Sequence, residues 1–350
     1  MPNVKVCGTM NILLLGGGGY VGSVIARRLS AAGHGVRIAD RFLFLEPSAF
    51  ERVAQTRVVD MRALTLADFR DVDVVLNLAA LSNDPSGELD PRATSTINIG
   101  ARVRAATLAR AAGVRRYFLF SSCSVYGAND SVTDETSPLN PLTAYATANV
   151  HAEKGTLDLI DDRFSVTVVR LATVFGVSPA MRFDLAINTM TLHAFTNGHL
   201  TINGDGQQYR PFVHVEDVAS AIDTMLLVPP QALSGDVFNI VKFNLKIREL
   251  GERIRAQFDD LIPLDFVTNN PDVRNYRVSG ARAQELLGFT PKIGLEEGVV
   301  AIKSALQAGL IRANFASVRL NGYRKLVEEM QFEGVERHPA AAGGLWAAAS

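Results

Sequence analysis

The stretch Gly16-Gly17-Gly18-Gly19-Tyr20-Val21-Gly22 directly follows the apolar run Ile12–Leu15, and a helical apolar pattern begins as it ends. A glycine turn between a strand and a helix is suited to a dinucleotide pyrophosphate. Gly16 permits the tight turn, Gly19 lets the ligand approach the backbone, and Gly22 lets helix and strand pack closely. The helix N-terminus adds the positive end of its dipole. This stretch therefore predicts a dinucleotide site in a Rossmann-type fold.

Short aliphatic runs alternate with longer helical patterns, which predicts an α/β protein with a doubly wound parallel sheet. The predicted strands are Ile12–Leu15, Val36–Ala39, Arg57–Val59, Val72–Leu78, Arg116–Phe120 and Ser165–Leu171. The predicted helices are Val21–Ala32, Pro91–Ala112, Leu142–Leu159 and, beyond the point where the alternation weakens, Phe183–Thr196. We expect a Rossmann domain over residues 1–176 and a smaller α/β substrate domain over 177–316, interleaved with the first. Residues 317–350 are expected to form a partly disordered C-terminal extension.

The composition is that of an ordinary globular chain. Of 350 residues, 47% are hydrophobic, and 35 Lys and Arg balance 36 Asp and Glu, which is not the basic footprint of a nucleic-acid-binding protein. Cys7 and Cys123 are the only cysteines, and the six histidines show no ligand spacing, so we expect neither a disulfide framework nor a metal site. No apolar run reaches the roughly 18 residues of a membrane span, and no export signal is evident. We therefore expect a soluble cytoplasmic protein.

Two later segments resemble the Ser/Thr and Tyr-x-x-x-Lys motifs of extended short-chain dehydrogenases, the NAD-dependent epimerase/dehydratase family of the UDP-glucose 4-epimerase type. They run from Ser121 to Gly127 and from Pro141 to Asn149. Further landmarks occur in the same order at Asn77-Leu78-Ala79-Ala80, Arg170 to Gly176 and Tyr209 to Val218, so the resemblance covers roughly residues 11 to 310. It implies an enzyme that uses NAD, acts on a nucleotide-activated sugar and forms a homodimer through Pro91–Ala112 and Leu142–Leu159.

The choice of cofactor depends on the end of the second predicted strand. Asp40 can accept hydrogen bonds from an adenosine ribose and repel a 2′-phosphate, which favours NAD over NADP. Arg41 could pair with such a phosphate, and Asp60 either reaches the adenine amine or simply ends a strand. The residues expected at the cofactor site are Gly16, Gly19, Tyr20, Val21, Gly22, Asp40, Arg41, Asp60, Met61, Leu78, Ala79, Ala80, Asn98, Tyr145 and Asn149.

The resemblance gives Tyr145 the role of acid/base on a sugar hydroxyl and gives Ser122 the role of holding the same oxygen. A phenol has an unperturbed pKa of about 10, so it needs a nearby positive charge to ionise near neutrality. Family members carry a lysine four residues after the tyrosine, whereas this chain has Asn149. Asn149 can bond a ribose but carries no charge. The sequence thus predicts slow or alkaline-shifted chemistry, or another proton carrier.

Cys123 is one such carrier, and its alternative interpretation is a small buried thiol. Family dehydratases place an acidic pair where this chain has Cys123-Ser124, so epimerisation or reduction ranks above dehydration.

For the substrate, Arg210 and Arg274 match diphosphate-binding positions in order, and a surface ion pair is the alternative for each. Asn83 either contacts the sugar or forms an Asx turn before Pro85. His214 is interpreted as structural. The residues expected at the substrate site are Asn83, Ser122, Tyr145, Thr173, Arg182, Asn188, Arg210 and Arg274.

The leading functional hypothesis is an NAD-dependent nucleotide-sugar epimerase that works through a transient keto intermediate. An NAD(P)-dependent reductase or an atypical dehydratase of a keto sugar is the alternative enzyme. A non-catalytic protein that binds NAD and a ligand is the alternative of another class.

Overall fold

The computed structural model describes residues 8–258, 262–267 and 274–324. Seven strands form its main sheet: β1 (Asn11–Leu15), β2 (Gly35–Asp40), β3 (Gln55–Val58), β4 (Val74–Asn77), β5 (Arg116–Ser122), β7 (Ser165–Leu171) and β11 (Val237–Ile240). Their spatial order is β11-β7-β5-β4-β1-β2-β3, and every neighbouring pair is parallel. The predicted doubly wound parallel sheet is confirmed.

Helices cover both faces of this sheet, which explains why central strands such as β1 and β4 are buried on both faces. The flanking helices are α1 (Tyr20–Ala31) and α7 (Val215–Leu226) on one face, and α4 (Arg102–Ala111) and α5 (Ala144–Leu157) on the other. In β1, Ile12 and Leu14 face the first pair of helices, and Leu13 and Leu15 face the second. Successive side chains of a strand point to opposite faces, so each face buries alternate residues of one short run.

The predicted helix Pro91–Ala112 is divided. After the short α2 (Asp84–Gly87), the chain forms α3 (Pro91–Ser95), a π-helical segment (Thr96–Ala101) and then α4. Within the π segment, Asn98 is fully buried, donates to the Leu81 carbonyl at 3.0 Å and accepts from the Leu81 N–H at 2.8 Å. The π segment thereby fixes the loop that follows β4.

The second region contains three smaller sheets. Their strands are β6 (Val132–Thr133), β8 (Thr173–Phe175), β9 (Leu200–Asn203), β10 (Tyr209–His214), β12 (Phe243–Lys246), β13 (Leu264–Val267) and β14 (Arg277–Val278). β10 lies between β8 and β12, while β9 pairs with β13 and β6 with β14. The helices of this region are α6 (Ala186–Asn197), α8 (Ile247–Arg255), α9 (Ala281–Leu287) and α10 (Leu295–Gln307). Phe175, Phe212 and Leu250 lie at the centre of its core.

The two regions exchange chain segments. β11 belongs to the stretch predicted as the second domain, yet it pairs with β7 in the main sheet, and α7 packs on α1. At the other end, residues 319–324 begin a helical turn, and the rest of the predicted extension, residues 325–350, lies outside the described residues. Among the helices that the structure describes, none is both long and apolar enough to cross a bilayer.

Candidate active site

One cleft of about 880 Å³ runs along the carboxyl ends of the main-sheet strands and continues into the second region. Gly16 after β1, Asp40 at the end of β2 and Ser122 at the end of β5 lie along its first part. Arg210 and β9 line its far part. Ligands of open α/β sheets bind at this edge, so the cleft has room for a dinucleotide beside a second ligand.

The glycine turn forms a cradle that side chains would fill. Gly16 has φ of +80°, and a Cβ there would lie 2.7 Å from the backbone nitrogen of Ala79. A Cβ on Gly22 would lie 2.6 Å from the Gly16 carbonyl oxygen. Gly19 caps α1 without a side-chain hydrogen bond, and the first turn carries no acidic residue. Backbone N–H groups at the start of α1 therefore suit an anionic group such as a pyrophosphate.

Asp40 both supports this turn and lines the cleft. Its Oδ2 accepts from the Gly18 N–H at 2.9 Å, and its Oδ1 accepts from the Phe42 N–H at 2.8 Å. Burial raises the pKa of Asp40, and these backbone bonds act in the opposite direction. Each carboxylate oxygen retains a further lone pair that ribose hydroxyls could use.

Arg41 forms an ion pair with Asp60. Two bonds from Arg62, at 2.9 and 2.8 Å, and one from Arg41, at 3.2 Å, converge on the Asp60 carboxylate. Burial alone would raise the pKa of Asp60, but the bonds from Arg62 hold that pKa below its ordinary value. Asp60 thus holds both guanidinium groups, and because one carboxylate cannot balance two cations, the preference for NAD depends on Asp40 and not on Arg41. Met61 lines the cleft beside this cluster.

Ser122 and Tyr145 both line the cleft. Ser122 ends β5, and its Oγ accepts from the Ser124 N–H at 3.1 Å. Tyr145 lies in the first turn of α5, a helix capped by Thr143. A Cβ on Gly87 would lie 2.8 Å from the Tyr145 Cβ, so Gly87 lets α2 pack closely against this turn. Burial raises the pKa of Tyr145.

Asn149 lies behind Tyr145, one helical turn on, and is 1% exposed. Its Nδ2 donates to the Tyr145 carbonyl oxygen at 3.2 Å, and its Oδ1 accepts from Arg102 Nη1 at 2.8 Å. Arg102 is itself 1% exposed. The sequence reasoning missed Arg102, although a signal existed: it falls on the same helical face as Ala105, Ala106 and Ala109, which is the face that packs on the sheet.

Cys123 is a core residue, contrary to the hypothesis of a cysteine proton carrier. Its thiol is 1% exposed, donates to the Arg170 carbonyl at 3.6 Å and does not line the cleft. Burial raises the pKa of this thiol above its ordinary value. The geometry therefore supports the alternative interpretation, a small buried thiol.

A polar cluster lines the middle of the cleft. Arg182 donates to both oxygens of Asp184, at 3.0 and 2.8 Å, and to Ser82 Oγ at 2.9 Å. Asn83 has φ of +90°, donates to Asp184 at 2.7 Å and accepts from the Ser86 N–H at 2.9 Å. Asn83 thus makes the predicted turn while its side chain also faces the cleft.

Arg210 and Arg274 both line the cleft on the substrate side. Arg210, on β10, lies 5.3 Å from the ring centroid of Tyr276 and donates to the carbonyl oxygens of Tyr209 and Arg274. Arg274 forms an ion pair with Asp84. Because both arginines line the cleft, their fork-shaped donors suit an anion with several oxygens, such as a diphosphate.

Three predicted ligand contacts, Asn98, Asn149 and Asn188, lie behind the wall instead. Asn98 holds Leu81, as described above. Asn188 is fully buried, accepts from the Gly176 N–H and donates to Tyr20 Oη at 3.1 Å and to the Arg182 carbonyl at 2.9 Å. These amides position cleft residues and do not line the cleft themselves. The other predicted site residues that do line it are Val21, Leu78, Ala79, Ala80 and Thr173.

A C-terminal segment, residues 315–324, closes one side of the cofactor part and was not predicted as part of the site. Arg319 is 2% exposed, donates to the Ala180 carbonyl at 2.7 Å and stacks 3.7 Å from the ring centroid of Phe44. Burial lowers the pKa of Arg319 to about 10. The Tyr323 hydroxyl lies 3.1 Å from Ser82 Oγ. No sequence motif marks these residues.

His214 is structural, as the sequence suggested. Its Nδ1 caps α7 by accepting from the Glu216 N–H at 3.2 Å, and its ring packs edge-on against Phe175. Burial lowers the pKa of His214 to about 4. Among the residues that the structure describes, no three His, Cys, Asp or Glu side chains cluster as a metal site would require.

The parallel sheet, the glycine turn and the Ser122–Tyr145 pair together define an NAD-binding short-chain dehydrogenase/reductase. The sequence profile of the NAD dependent epimerase/dehydratase family matches residues 12–241, and the chain belongs to that family. It is an enzyme of the extended type, and its cofactor is NAD.

Individual relatives are similar over most of the chain. UDP-glucose 4-epimerase of Mycolicibacterium smegmatis is 30% identical over 308 residues, which are 83% of this chain and 96% of that protein. UDP-glucuronic acid decarboxylase 1 of Danio rerio is 26% identical, over 82% of this chain and 70% of that protein. The solved structure of MoeE5 in complex with UDP-glucuronic acid and NAD is 29% identical, with a TM-score of 0.76 over 85% of this chain and 99% of that one.

Proposed function

We propose that the protein epimerises a nucleotide-activated sugar through a transient keto intermediate, with NAD bound throughout. The observation that carries this proposal is one cleft in which the Ser122–Tyr145 pair lies between the glycine cradle and the arginines Arg210 and Arg274. Such an arrangement holds a cofactor at one end, a diphosphate at the other, and a reacting carbon between them.

The chain's own groups would move a proton at one sugar hydroxyl. Tyr145 accepts the hydroxyl proton as the carbonyl forms, Ser122 donates a hydrogen bond to the same oxygen, and Tyr145 then returns the proton. NAD, which the glycine cradle and Asp40 would hold, would supply the hydride acceptor and donor at that carbon. No net oxidation results, so the product is a stereoisomer of the substrate.

The carboxylates of the cleft favour epimerisation over loss of water, which needs an acid and a base at neighbouring carbons. Asp40 is held by backbone N–H groups, and Asp60 by Arg62. Asp84 is bonded by Thr143 and Arg274, and Asp184 by Arg182. Each carboxylate that lines the cleft is already committed as an acceptor, and Cys123 and Ser124 follow Ser122 where dehydratases carry their acidic pair.

The test is incubation of the purified protein with a panel of UDP-, dTDP- and GDP-linked sugars, including UDP-glucuronic acid. We expect a stereoisomer to form without any change in reduced-nicotinamide absorbance, and we expect Tyr145→Phe to abolish its formation. Stoichiometric consumption of reduced cofactor would indicate the alternative reductase, and loss of CO₂ a decarboxylase. No product from any sugar would favour the non-catalytic alternative.

We also propose a cytoplasmic homodimer that forms through the outer faces of α4 and α5. Gly155 lets these helices pack closely, since a Cβ there would lie only 2.9 Å from Val103. A shallow groove with Ile99 and Lys154 on its walls runs between the two helices. Light scattering at micromolar concentration should give twice the monomer mass, and a monomer would count against the pairing.

A further inference from the structure

A buried arginine adjoins the proposed acid/base without a carboxylate to balance it. Arg102 donates to the Asn149 side chain at 2.8 Å and to the Phe120 carbonyl, and its Nε has no hydrogen-bond partner among the described residues. Both partners are neutral. Removing a charge from water without a counter-charge costs several kcal/mol, so such a residue calls for an explanation.

We propose that Arg102 is a positioning residue of the active site: its guanidinium, held by Asn149, supplies the positive charge that favours the ionised form of Tyr145. This inference rests on the proposed role of Tyr145 as acid/base. The charge belongs to a residue of α4 that lies 47 residues before Asn149 in the chain, so the spacing of the α5 motif does not reveal it.

Arg170, a neighbouring buried arginine, differs from Arg102 in having a carboxylate partner. Arg170 is 4% exposed, but it donates twice to Glu153, at 3.0 and 2.6 Å, so its charge is balanced. Glu153 lies one turn after Asn149 on α5 and also accepts from Ser121 at 2.5 Å. The carboxylate nearest in sequence to the Arg102–Asn149 pair is therefore committed to Arg170.

The charges that face Tyr145 come from three elements. They are Arg102 from α4, Asp84 from α2, and Arg182 from the loop after β8. Asp84 is paired with Arg274 and Arg182 with Asp184, so Arg102 is the charge of this group that no ion pair balances within the described chain.

Arg102 in turn faces Tyr145, Tyr117 and Glu153. Burial raises the pKa of Tyr145, and the Asn149 hydrogen bond and the Arg102 charge both oppose that rise.

Asn149 fits Arg102 better than a lysine would. The Oδ1 of Asn149 accepts from Arg102, whereas a lysine ammonium at the same place has no acceptor and would repel the guanidinium. The chain therefore carries beside Tyr145 a cation that no ion pair balances within the described residues, and it comes from α4 instead of α5. Under the proposal Arg102 takes over the role of the missing lysine, while burial still leaves the pKa of Tyr145 above its ordinary value, so the alkaline-shifted chemistry remains a prediction.

The first test is a titration that needs no substrate. In the NAD-loaded protein, ultraviolet difference spectra with Tyr145→Phe as the blank isolate the ionisation of Tyr145 from that of the other tyrosines. Arg102→Gln, which keeps a hydrogen-bond donor but loses the charge, should raise the pKa of Tyr145 by about one unit or more. Arg102→Lys, which keeps the charge, should leave that pKa near its original value.

Arg116→Gln is the matched control. Arg116 is another buried arginine, and it donates to the carbonyl oxygens of Met225 and Val228 at the opposite end of β5. Its replacement should not move the Tyr145 titration. An unchanged titration in a folded Arg102→Gln variant would overturn the proposal, whether or not any sugar is turned over. A shifted titration without turnover would instead support the proposal and count against the proposed epimerisation.

The second test exchanges the charge between the helices. Asn149→Lys alone should lose activity, because two cations then compete for one buried place. Combined with Arg102→Gln, it should return the Tyr145 pKa to near its wild-type value and restore the rate near neutrality. The rate should be about tenfold below wild type for each unit by which the pKa stays above the wild-type value. Additive losses in the double variant would refute the coupling, and this comparison still decides the matter if Arg102→Gln alone does not fold.

Discussion

Residue 149 shows what a motif can and cannot convey. The sequence shows that a lysine is missing four residues after Tyr145, but it does not show which group has taken its place. That group, Arg102, is on a different helix, and its contact with Asn149 depends on how α4 and α5 pack. The residue types at Gly16, Asp40, Ser122 and Tyr145 were sufficient to place the cleft, because each directly follows or ends a strand of the sheet or begins a helix beside it.

Asp40 can be tested with both cofactors. Asp40→Ala removes the carboxylate that accepts from Gly18 and that faces the proposed ribose position, so NAD should bind roughly ten- to a hundredfold more weakly. The preference over NADP should fall as well, because a repelling charge is lost. Isothermal titration with each cofactor measures both effects. Asp40→Asn, which keeps one acceptor oxygen, should lose the preference but less of the affinity, and unchanged affinities in both variants would remove Asp40 from the site.

His214 should make the fold sensitive to mild acid. Burial lowers its pKa from 6.5 to about 4. The unfolded chain therefore binds a proton at His214 below about pH 6.5, whereas the folded chain binds that proton only near pH 4. The free energy of unfolding should therefore fall across this interval, by up to about 3 kcal/mol from this group. His214→Asn keeps an acceptor for the Glu216 N–H but does not titrate. Urea denaturation at both pH values should show a smaller loss in this variant, and an equal loss would contradict the assignment.

At the scale of elements, periodicity predicted six of the seven main-sheet strands and the helices α1 and α5 to within a few residues, whereas β11 and α7 were not predicted. The predicted Leu142–Leu159, for example, is observed as Ala144–Leu157. The π segment Thr96–Ala101 was missed because its residues have an ordinary helical pattern, and only the bonds between Asn98 and Leu81 distinguish it. The C-terminal segment was missed because packing on Phe44, and not a local pattern, determines its place.

The turn between β1 and α1 should tolerate no side chain at its third glycine. A Cβ on Gly22 would meet backbone atoms of Gly16 and Gly17 at 2.6 and 2.7 Å, and backbone cannot move aside as a side chain can. Gly22→Ala should therefore lower the free energy of unfolding by about 1–3 kcal/mol and weaken NAD binding at the same time. Gly8→Ala, where no atom lies within 4 Å of the added Cβ and no helix is capped, is the control and should change neither. Wild-type stability in Gly22→Ala would show that the turn is looser than the contacts indicate.

For the whole molecule, the main consequence is that one cleft serves two ligands held by different regions. A ligand that binds only the folded state stabilises it by about 2.7 kcal/mol at a free concentration a hundred times its Kd. NAD and the cognate nucleotide sugar should each raise Tm accordingly. Arg210→Met should reduce the shift caused by the sugar and leave the shift caused by NAD, since Arg210 lies at the far part of the cleft. Differential scanning fluorimetry measures both shifts, and equal loss of both would indicate a general defect in folding.

The C-terminal segment has a further consequence for how the cofactor leaves. Arg319 and Tyr323 line the cleft while they pack on Phe44 and Ser82, which belong to loops after two different strands. NAD can depart past this side only when the segment detaches, so its escape rate is governed by a local opening equilibrium of the protein. We therefore expect the dinucleotide to survive dialysis as a prosthetic group does, and dilute urea should hasten its release well before the main sheet unfolds. A hydride taken from one sugar would, for the same reason, be returned before the cofactor could exchange with the surrounding solution.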